Sequence, residues 1–431
     1  MTTIDISITG LTNNGRGIAE HDGTTWFVDD ALPGEIVRAA ITNKRKRARR
    51  AKSLITLQAS ADRVVPRCEY FGVCGGCVMQ HLSIDGQLRH KQLNVVAAMK
   101  RHGVAFVAER MKGISPSAWG YRRKGRLSVR YVPKKGGVLV GFRELEKSYV
   151  TDLKRCHTLV PELSALLPSL KAQLQQLGGR ERIPQIEIAS GTNVLAIIVR
   201  YLTPCSEQDL LQLISFGREQ NVRIYLQSGG PDTIVPLEKQ GESLSYRIRA
   251  SGDTIKFLPT DFIQVNDVAN QEIVDSVLQM LAPTSRDRVL ELFCGLGNLT
   301  LPVASSIERV VGVDYDDGLL RRAKDNALFN HKDNVEFRHA DLTENPGGQW
   351  WAVEGFTKLL LDPPRSGALE ILTAIVPTLA PERIVYASCN PETLARDAAL
   401  LTARFGYRLE AIRVVDMFAH TGHVETIALF V

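Results

Sequence analysis

Three features predict an α/β protein built from more than one unit. Strand and helix signals alternate from about residue 260 onward; short strand-like runs separated by Asn-Asn-Gly, Asp-Gly and Pro-Gly turns fill the first 58 residues; and a mixed α+β stretch lies between. The C-terminal alternation implies a doubly wound, Rossmann-like parallel sheet with an antiparallel last strand. The first stretch reads as a small β-barrel of OB-like type, and the middle as a central α+β unit. The expected units are 1–58, 59–255 and 256–431, with the last joint near Ser251 to Pro259. A prior of one domain per ~150 residues agrees with about three units for a chain of 431.

The barrel strands are expected at Asp5 to Thr9, Thr24 to Val28 and Glu35 to Thr42. A basic run, Lys44 to Lys52, follows. Such runs are usually solvated edges, but beside a small barrel the same layout contacts phosphates without reading sequence. Apolar residues recur at helical spacing from Leu82 to Arg101. The window from Lys112 to Arg143 has no acidic residue and mixes Arg122, Arg123, Lys124, Arg126, Arg130, Lys134 and Lys135 with Trp119, Tyr121 and Tyr131. Cations that hold phosphates among rings that stack on bases fit RNA; the plain alternative is a hairpin with core aromatics. Helices at Glu162 to Leu177 and Glu207 to Gln220, with strands at Gln185 to Ala189, Val194 to Tyr201 and Val222 to Gln227, complete the centre. In the last unit, strands are expected at Arg288 to Phe293, Val310 to Val313, Val335 to His339, Leu359 to Leu361 and Ile384 to Ala387. Helices start at Leu299, Asp317 and Pro391, and strands at Arg408 to Val415 and Val424 to Phe430 close the sheet.

Composition excludes little but points one way. At 44% hydrophobic and 23% charged residues the chain reads as globular, and no apolar run approaches the roughly 20 residues of a membrane span. Met1-Thr2-Thr3-Ile4-Asp5 has neither the basic start nor the apolar stretch of a signal peptide, so a cytoplasmic protein is expected. The net charge is only +6, but its clustering favours a polyanionic partner. The seven cysteines are an odd number, and four of them are spaced for a metal centre rather than for disulfides.

Glu291-Leu-Phe-Cys-Gly295-Leu-Gly297-Asn298 ends a strand and precedes a helix, so its backbone can turn tightly against a ligand. Asp314, one βα unit later, strengthens that reading, because a carboxylate there can accept both hydroxyls of a ribose. No third glycine follows, which favours an adenosine without a pyrophosphate. Asp341, after the third strand, can accept from an adenine amino group; a helix cap or solvated loop is the plain alternative for both acids. Cys294, inside the loop, reads as a small packing residue.

Leu361-Asp362-Pro363-Pro364-Arg365 is a rigid loop after the fourth strand. Asp362 accepts only, which suits a ring N–H such as that of uracil, and Arg365 can counter nearby negative charge. Ser388-Cys389-Asn390-Pro391-Glu392 closes the fifth strand and opens a helix, with Asn390 as N-cap and Pro391 in the first helical position. The positive helix end is expected to lower the Cys389 thiol pKa, which makes Cys389 a candidate nucleophile rather than an inert buried thiol. Carbon 5 of uracil takes a methyl group only after a thiolate has added at carbon 6, and the proton on carbon 5 must then leave. Glu425, in His420-Thr-Gly-His423-Val-Glu425, is the candidate base, with His420 and His423 as neighbours or alternatives.

Cys68-x5-Cys74-Gly-Gly-Cys77, with Cys156 far along the chain, offers four soft ligands. Structural zinc usually takes two Cys-x2-Cys knuckles and only one is present, which favours an iron–sulfur centre.

At these residues the chain resembles the bacterial RNA uracil-5 methyltransferases that carry a TRAM domain and an iron–sulfur cluster, and within them the branch that modifies 23S ribosomal RNA. The resemblance runs nearly end to end, through a TRAM-like barrel, the four cysteines, Phe262-Ile-Gln264-Val-Asn266, Phe293 to Asn298, Asp341, Asp362-Pro-Pro-Arg365, Cys389 and Glu425. It implies S-adenosylmethionine (S-adenosyl-L-methionine) surrounded by Gln264, Phe293, Asn298, Asp314, Asp341 and Asp362. It also implies a 4Fe-4S cluster on Cys68, Cys74, Cys77 and Cys156, Cys389 as nucleophile and Glu425 as base. The partner implied is 23S rRNA, with no membrane, no obligatory protein partner and a monomeric state. The family generally has Glu where this chain has Asp314, so the ribose contact is expected to be longer or water-bridged. The rival readings are a tRNA uracil-5 methyltransferase, which lacks the cysteine cluster and the barrel, and a non-catalytic metal-binding RNA-binding protein, against which the intact Cys389 and Glu425 argue.

Overall fold

Trp26, buried with Ile6, Ile8, Val28 and Val37, is the core round which the first sheet curls. Its strands are Thr3–Ser7, Gly10–Leu11, Gly17–His21, Thr24–Asp29, Ile36–Asn43 and Arg49–Gln58, and the last of these lies between the fifth and the fourth. The computed structural model describes residues 2–43, 49–239, 241, 243–342 and 350–431. Lys44 to Ala48, the first half of the basic run, lie outside the described residues. In the second half, the Arg49 guanidinium lies 5.3 Å from the centre of the Trp26 ring and Arg50 pairs with Glu146, so these two cations have partners within the protein.

The central sheet runs, edge to edge, Ile234–Pro236, Val222–Gln227, Leu195–Arg200, Gln185–Ser190, Lys124–Val132 and Gly137–Gly141. Leu163, Leu166, Leu167, Leu170 and Leu174 recur at helical spacing on Pro161–Gln176, and with Leu213 and Phe216 of Glu207–Glu219 they form one core with that sheet. Between Leu244–Arg247 and Thr254–Phe257 the chain makes a hairpin whose Tyr246, Ile255 and Phe257 belong to the core of the C-terminal body, so the expected joint at Ser251 to Pro259 falls on an element packed into that body.

Among the described residues the C-terminal sheet has eight strands. Arg288–Leu292, Arg309–Asp314 and Val335–His339 run outward on one side; Lys358–Leu361 and Arg383–Ser388 run parallel on the other; Glu425–Phe430 and Leu409–Val415 follow, with Glu425–Phe430 antiparallel to both its neighbours. Runs such as Leu359-Leu360-Leu361 are fully buried because apolar cores cover both faces. The strand order reverses between Arg288–Leu292 and Lys358–Leu361, and ligands of such sheets bind beyond the carboxyl ends at that point. An edge strand that the sequence did not announce, Met111–Ile114, pairs in parallel with Leu409–Val415. The preceding helix, Ile84–Arg101, buries Val95, Ala98 and Met99 in the same core. No helix among the described residues is long and apolar enough to cross a membrane.

The barrel is seated on this body through a tight turn. Asn94 Nδ2 donates to Asn13 Oδ1 at 2.8 Å; a Cβ at Gly15 would lie 2.1 Å from the Val78 carbonyl oxygen, and one at Gly422 would lie 1.8 Å from that of Asn13. Both neighbours are backbone and cannot swing aside. Gly422→Ala is therefore expected to lose about 1–3 kcal/mol of stability, read as a lower midpoint in denaturant, and an unchanged midpoint would show the turn to be loosely seated.

Candidate active site

The loop after Arg288–Leu292 holds three residues in the left-handed region within five positions: Phe293 (φ 64°), Gly295 (54°) and Gly297 (85°). For phenylalanine that conformation is strained, and strain of this kind collects where a ligand is held. Asp314 secures the loop, since its Oδ2 accepts from Gly295 N at 2.9 Å while Oδ1 accepts from Asp316 N at 3.1 Å. Each carboxylate oxygen keeps a second lone pair free to accept. Asn298 faces the other way, with its amide paired twice to Asn270 and its Oδ1 also accepting from Tyr246 Oη at 2.9 Å. Arg123 donates to the Gln264 carbonyl at 2.8 Å and to Asp267 at 3.0 Å, which fixes the segment carrying Gln264. Asp341 is half-buried after the strand Val335–His339.

One acid here carried no role in the sequence reading. Glu291 is buried, its Oε2 has no hydrogen-bond partner, and burial beside Asp362 and Asp314 pushes its pKa up to about 8. The available signal was a lone carboxyl within an otherwise apolar buried strand.

On the other side of the switch point, Ser388 pairs with Thr426 in the antiparallel ladder, so the next position outward sets Cys389 beside Glu425. Asn390 caps the following helix by accepting from Glu392 N at 3.1 Å, and its Nδ2 donates to the Arg365 carbonyl at 3.0 Å, which ties the Asp362–Arg365 loop to the thiol. Burial raises the Glu425 pKa to about 8, with Asp362 pushing it further up and Arg365 opposing. Asp362, also by burial, rises to about 6. The expectation of a lowered thiol pKa is corrected. Burial and the neighbouring Glu425 and Asp362 push Cys389 up, and Arg365 only partly opposes them. The cap is present, but burial and the two carboxyls outweigh it.

Cys389 opens into a cleft of about 710 Å³ walled by every part of the molecule: Asn13 and Arg16 of the barrel, Gly76 and Val78, Arg122 and Glu146, Arg365 and His423. His423 Nδ1 lies 3.0 Å from Arg365 Nη2 at its edge. His420 is not a base for this cleft. It is buried, its Nδ1 is 3.2 Å from Gln87 Nε2, its Nε2 is 3.1 Å from the Ala118 carbonyl, and burial drops its pKa to about 4.

Part of the basic and aromatic window is committed inside the fold. Trp119 stacks on His420 at 4.0 Å, Tyr121 donates to the Ala419 carbonyl, Arg123 is buried, and Lys124 donates to the Asp261 carbonyl. Arg122 reaches the cleft, and Arg126, Arg130, Lys134 and Lys135 are exposed. At the cleft mouth Glu146, itself in the left-handed region, pairs with Arg16 and Arg50 of the barrel.

Cys68, Cys74, Cys77 and Cys156 line one small cavity walled by Tyr70, Phe71, Phe142 and Leu153. Burial pushes the thiols of Cys74 and Cys77 up to about 11 and about 12, and each thiol would be raised further by charge on Cys156. Among the described residues no three His, Cys, Asp or Glu side chains converge closely enough to hold a metal ion. Cys294, by contrast, is buried in the core as a packing residue.

The family model described as tRNA (Uracil-5-)-methyltransferase matches residues 143–345 and 352–431, and that of the TRAM domain matches residues 1–53. A 23S rRNA (uracil(1939)-C(5))-methyltransferase of Xanthomonas oryzae pv. oryzae is 45% identical over 432 residues, covering 100% of this chain and 97% of the relative. A protein of the same description from Alkalilimnicola ehrlichii is 45% identical over 427 residues, covering 99% and 96%. Among solved structures, the Pyrococcus abyssi tRNA (uracil-54, C5)-methyltransferase in complex with S-adenosyl-L-homocysteine matches with a TM-score of 0.76 over 99% of this chain and 100% of that one. At 21% identity that likeness is one of fold, and because it spans the barrel as well, the expectation that tRNA uracil-5 methyltransferases lack the barrel is corrected.

Glu425 has a pKa above that of an unfolded carboxyl, so its contribution to stability is present at low pH and is lost as pH rises through about 8. Glu425→Gln, neutral throughout, is expected to be more stable than the parent near pH 9 by on the order of 1–3 kcal/mol and no different near pH 4. Calorimetry at the two pH values checks this; an equal effect at both contradicts the burial account.

Proposed function

The chain belongs to the RNA uracil-5 methyltransferase family, and we propose that it transfers a methyl group from S-adenosylmethionine to carbon 5 of a uridine in 23S ribosomal RNA through a covalent adduct on Cys389. The observation that supports this reading is that Cys389 and Arg365 line a wide cleft while Glu425 and Asp362 lie buried close to that thiol. The choice of 23S rRNA is supported by 45% identity over the whole chain to relatives of that description. A cytoplasmic site of action accords with such a substrate.

Bound in the loop of Phe293, Asn298 and Asp314, with Gln264, Asp341 and Asp362 round it, S-adenosylmethionine supplies an electrophilic methyl group on a cationic sulfur. The residues of the chain do the rest. Asp362 accepts from the uracil ring N–H and orients the base. The Cys389 thiolate, favoured by Arg365, adds to carbon 6, and the electron pair of the carbon 5–carbon 6 double bond moves toward the carbon 4 carbonyl as an enolate. Carbon 5 of that enolate then takes the methyl group. Glu425 removes the remaining proton from carbon 5, the double bond re-forms, and the carbon 6–sulfur bond breaks to release the thiolate. A carboxyl held near pKa 8 is basic enough to accept that proton. The reaction moves no electron to a metal, so a 4Fe-4S cluster on Cys68, Cys74, Cys77 and Cys156 would act by tying their loops together.

Cys389→Ser is expected to abolish both methyl transfer and covalent RNA binding. Glu425→Gln is expected to lose about 10²–10⁴ in turnover and to accumulate protein joined to RNA, because the thiolate cannot leave before the proton does. A serine variant that turns over like the parent contradicts the proposal. Protein purified with its metal is expected to be brown with iron and sulfide; a colourless, zinc-loaded protein of full activity contradicts the cluster.

A further inference from the structure

Lys91 lies in the middle of the helix Ile84–Arg101 with its side chain wholly buried, its Nζ 2.5 Å from Asp416 Oδ1 and 3.1 Å from the Phe418 carbonyl. The Asp416 side chain is equally buried, and its Oδ2 has no hydrogen-bond partner. Taking two charges out of water costs several kcal/mol per ion, and well-packed apolar residues usually serve stability as well or better. The location of the pair gives it a different use. Val415 is the strand partner of Glu425, so Asp416 is the first residue of the connection that leads round to Glu425.

The rest of that connection is held from the same side. Gln87, one helical turn before Lys91, accepts from His420 N at 2.7 Å, and Val78 N and Met79 N donate to the His420 carbonyl at 2.8 and 3.1 Å. Asn266 donates to the Met417 carbonyl at 3.2 Å. Lys91 brings a cation to this frame; burial pulls its own pKa down while Asp416 holds it up, and its field acts against the burial that raises Glu425. The charged and titratable groups facing Glu425 are Asp362 and Arg365 from the proline loop, Cys389 from the helix start, and Lys91 from behind. Those bearing on Lys91 are Asp416 and Glu425, while His90, His420 and His423 feel its charge.

We propose that Lys91 is a positioning residue for Glu425: held by Asp416 and the Phe418 carbonyl, it fixes the start of the connection that runs from the strand partner of Glu425 round to Glu425 itself, and it adds a positive charge to the surroundings of the carboxylate that takes the carbon 5 proton. The inference rests on the methyl-transfer reading above. It separates two steps of the reaction, since addition of Cys389 to carbon 6 does not need Glu425 as base, whereas loss of the carbon 5 proton does.

The test uses the full-length protein with its cluster and three variants: Lys91→Met, Lys91→Arg, and the double variant Lys91→Met/Asp416→Leu, which removes both charges and leaves no lone ion buried. Tritium release from an RNA fragment carrying 5-tritiated uridine is followed across pH, beside formation of the covalent adduct with 5-fluorouridine RNA. The double variant is expected to form the adduct like the parent but to release tritium at least about tenfold more slowly. Its base-dependent limb should move to higher pH by on the order of one unit, because the cation that favours ionised Glu425 is gone. Lys91→Arg, which keeps the charge, is expected to keep the parental limb. A parental limb in the double variant, or adduct and tritium release lost in equal measure, overturns the proposal. If the parent itself forms no adduct, the reading of the reaction falls instead.

Discussion

The register of one antiparallel strand pair governs the site. Arg383–Ser388 and Glu425–Phe430 lie side by side with Ser388 opposite Thr426, and both strands are almost completely buried. A slip of one residue would turn Glu425 to the opposite face and bring apolar side chains out of the core, so burial of the ladder enforces the meeting of Cys389 and Glu425. The proline loop is then drawn to the thiol by the Asn390 bond to the Arg365 carbonyl. Cys389, Glu425 and Asp362, at the ends of three strands, are thereby assembled at the carboxyl ends of a doubly wound sheet.

The charges in this assembly favour neutral acids. Glu291, Asp362 and Glu425 all have raised pKa values because they are buried near one another with few cations to offset them. Arg365 and the more distant Lys91 are the cations that act on Glu425. A site of that character suits a cationic methyl donor and an acid that must give up and recover a proton near neutral pH. Burial and the same carboxyls also raise the Cys389 thiol, which a helix cap alone would not do.

Local chemistry was legible in the sequence, and long-range chemistry was not. Asn390 and Pro391 announce a helix start from neighbouring residues alone, and the apolar runs at Arg288–Leu292, Lys358–Leu361 and Arg383–Ser388 announce buried strands. The glycine loop and Asp314 come together as the βα spacing implies, through the Gly295 bond. The direction of the Cys389 shift was misread, because Glu425 and Asp362 reach it only through the sheet. The same holds for Lys91, whose partner is 325 residues away, and for Met111–Ile114, whose four residues carry no strand pattern. Trp119 and Tyr121 read as free rings for stacking on bases, but packing on His420 and a bond to Ala419 use them within the protein.

The central claim is that sulfur at position 389 joins carbon 6 of the target uracil. RNA bearing 5-fluorouridine tests it most directly, because fluorine cannot leave as a proton and the ring stays bonded after methyl transfer. Peptide mass analysis of the trapped protein is expected to find one methylated fluorouridine nucleotide on the peptide that contains Cys389. A nucleotide on another cysteine, or no covalent product from protein that methylates ordinary RNA, would contradict the account.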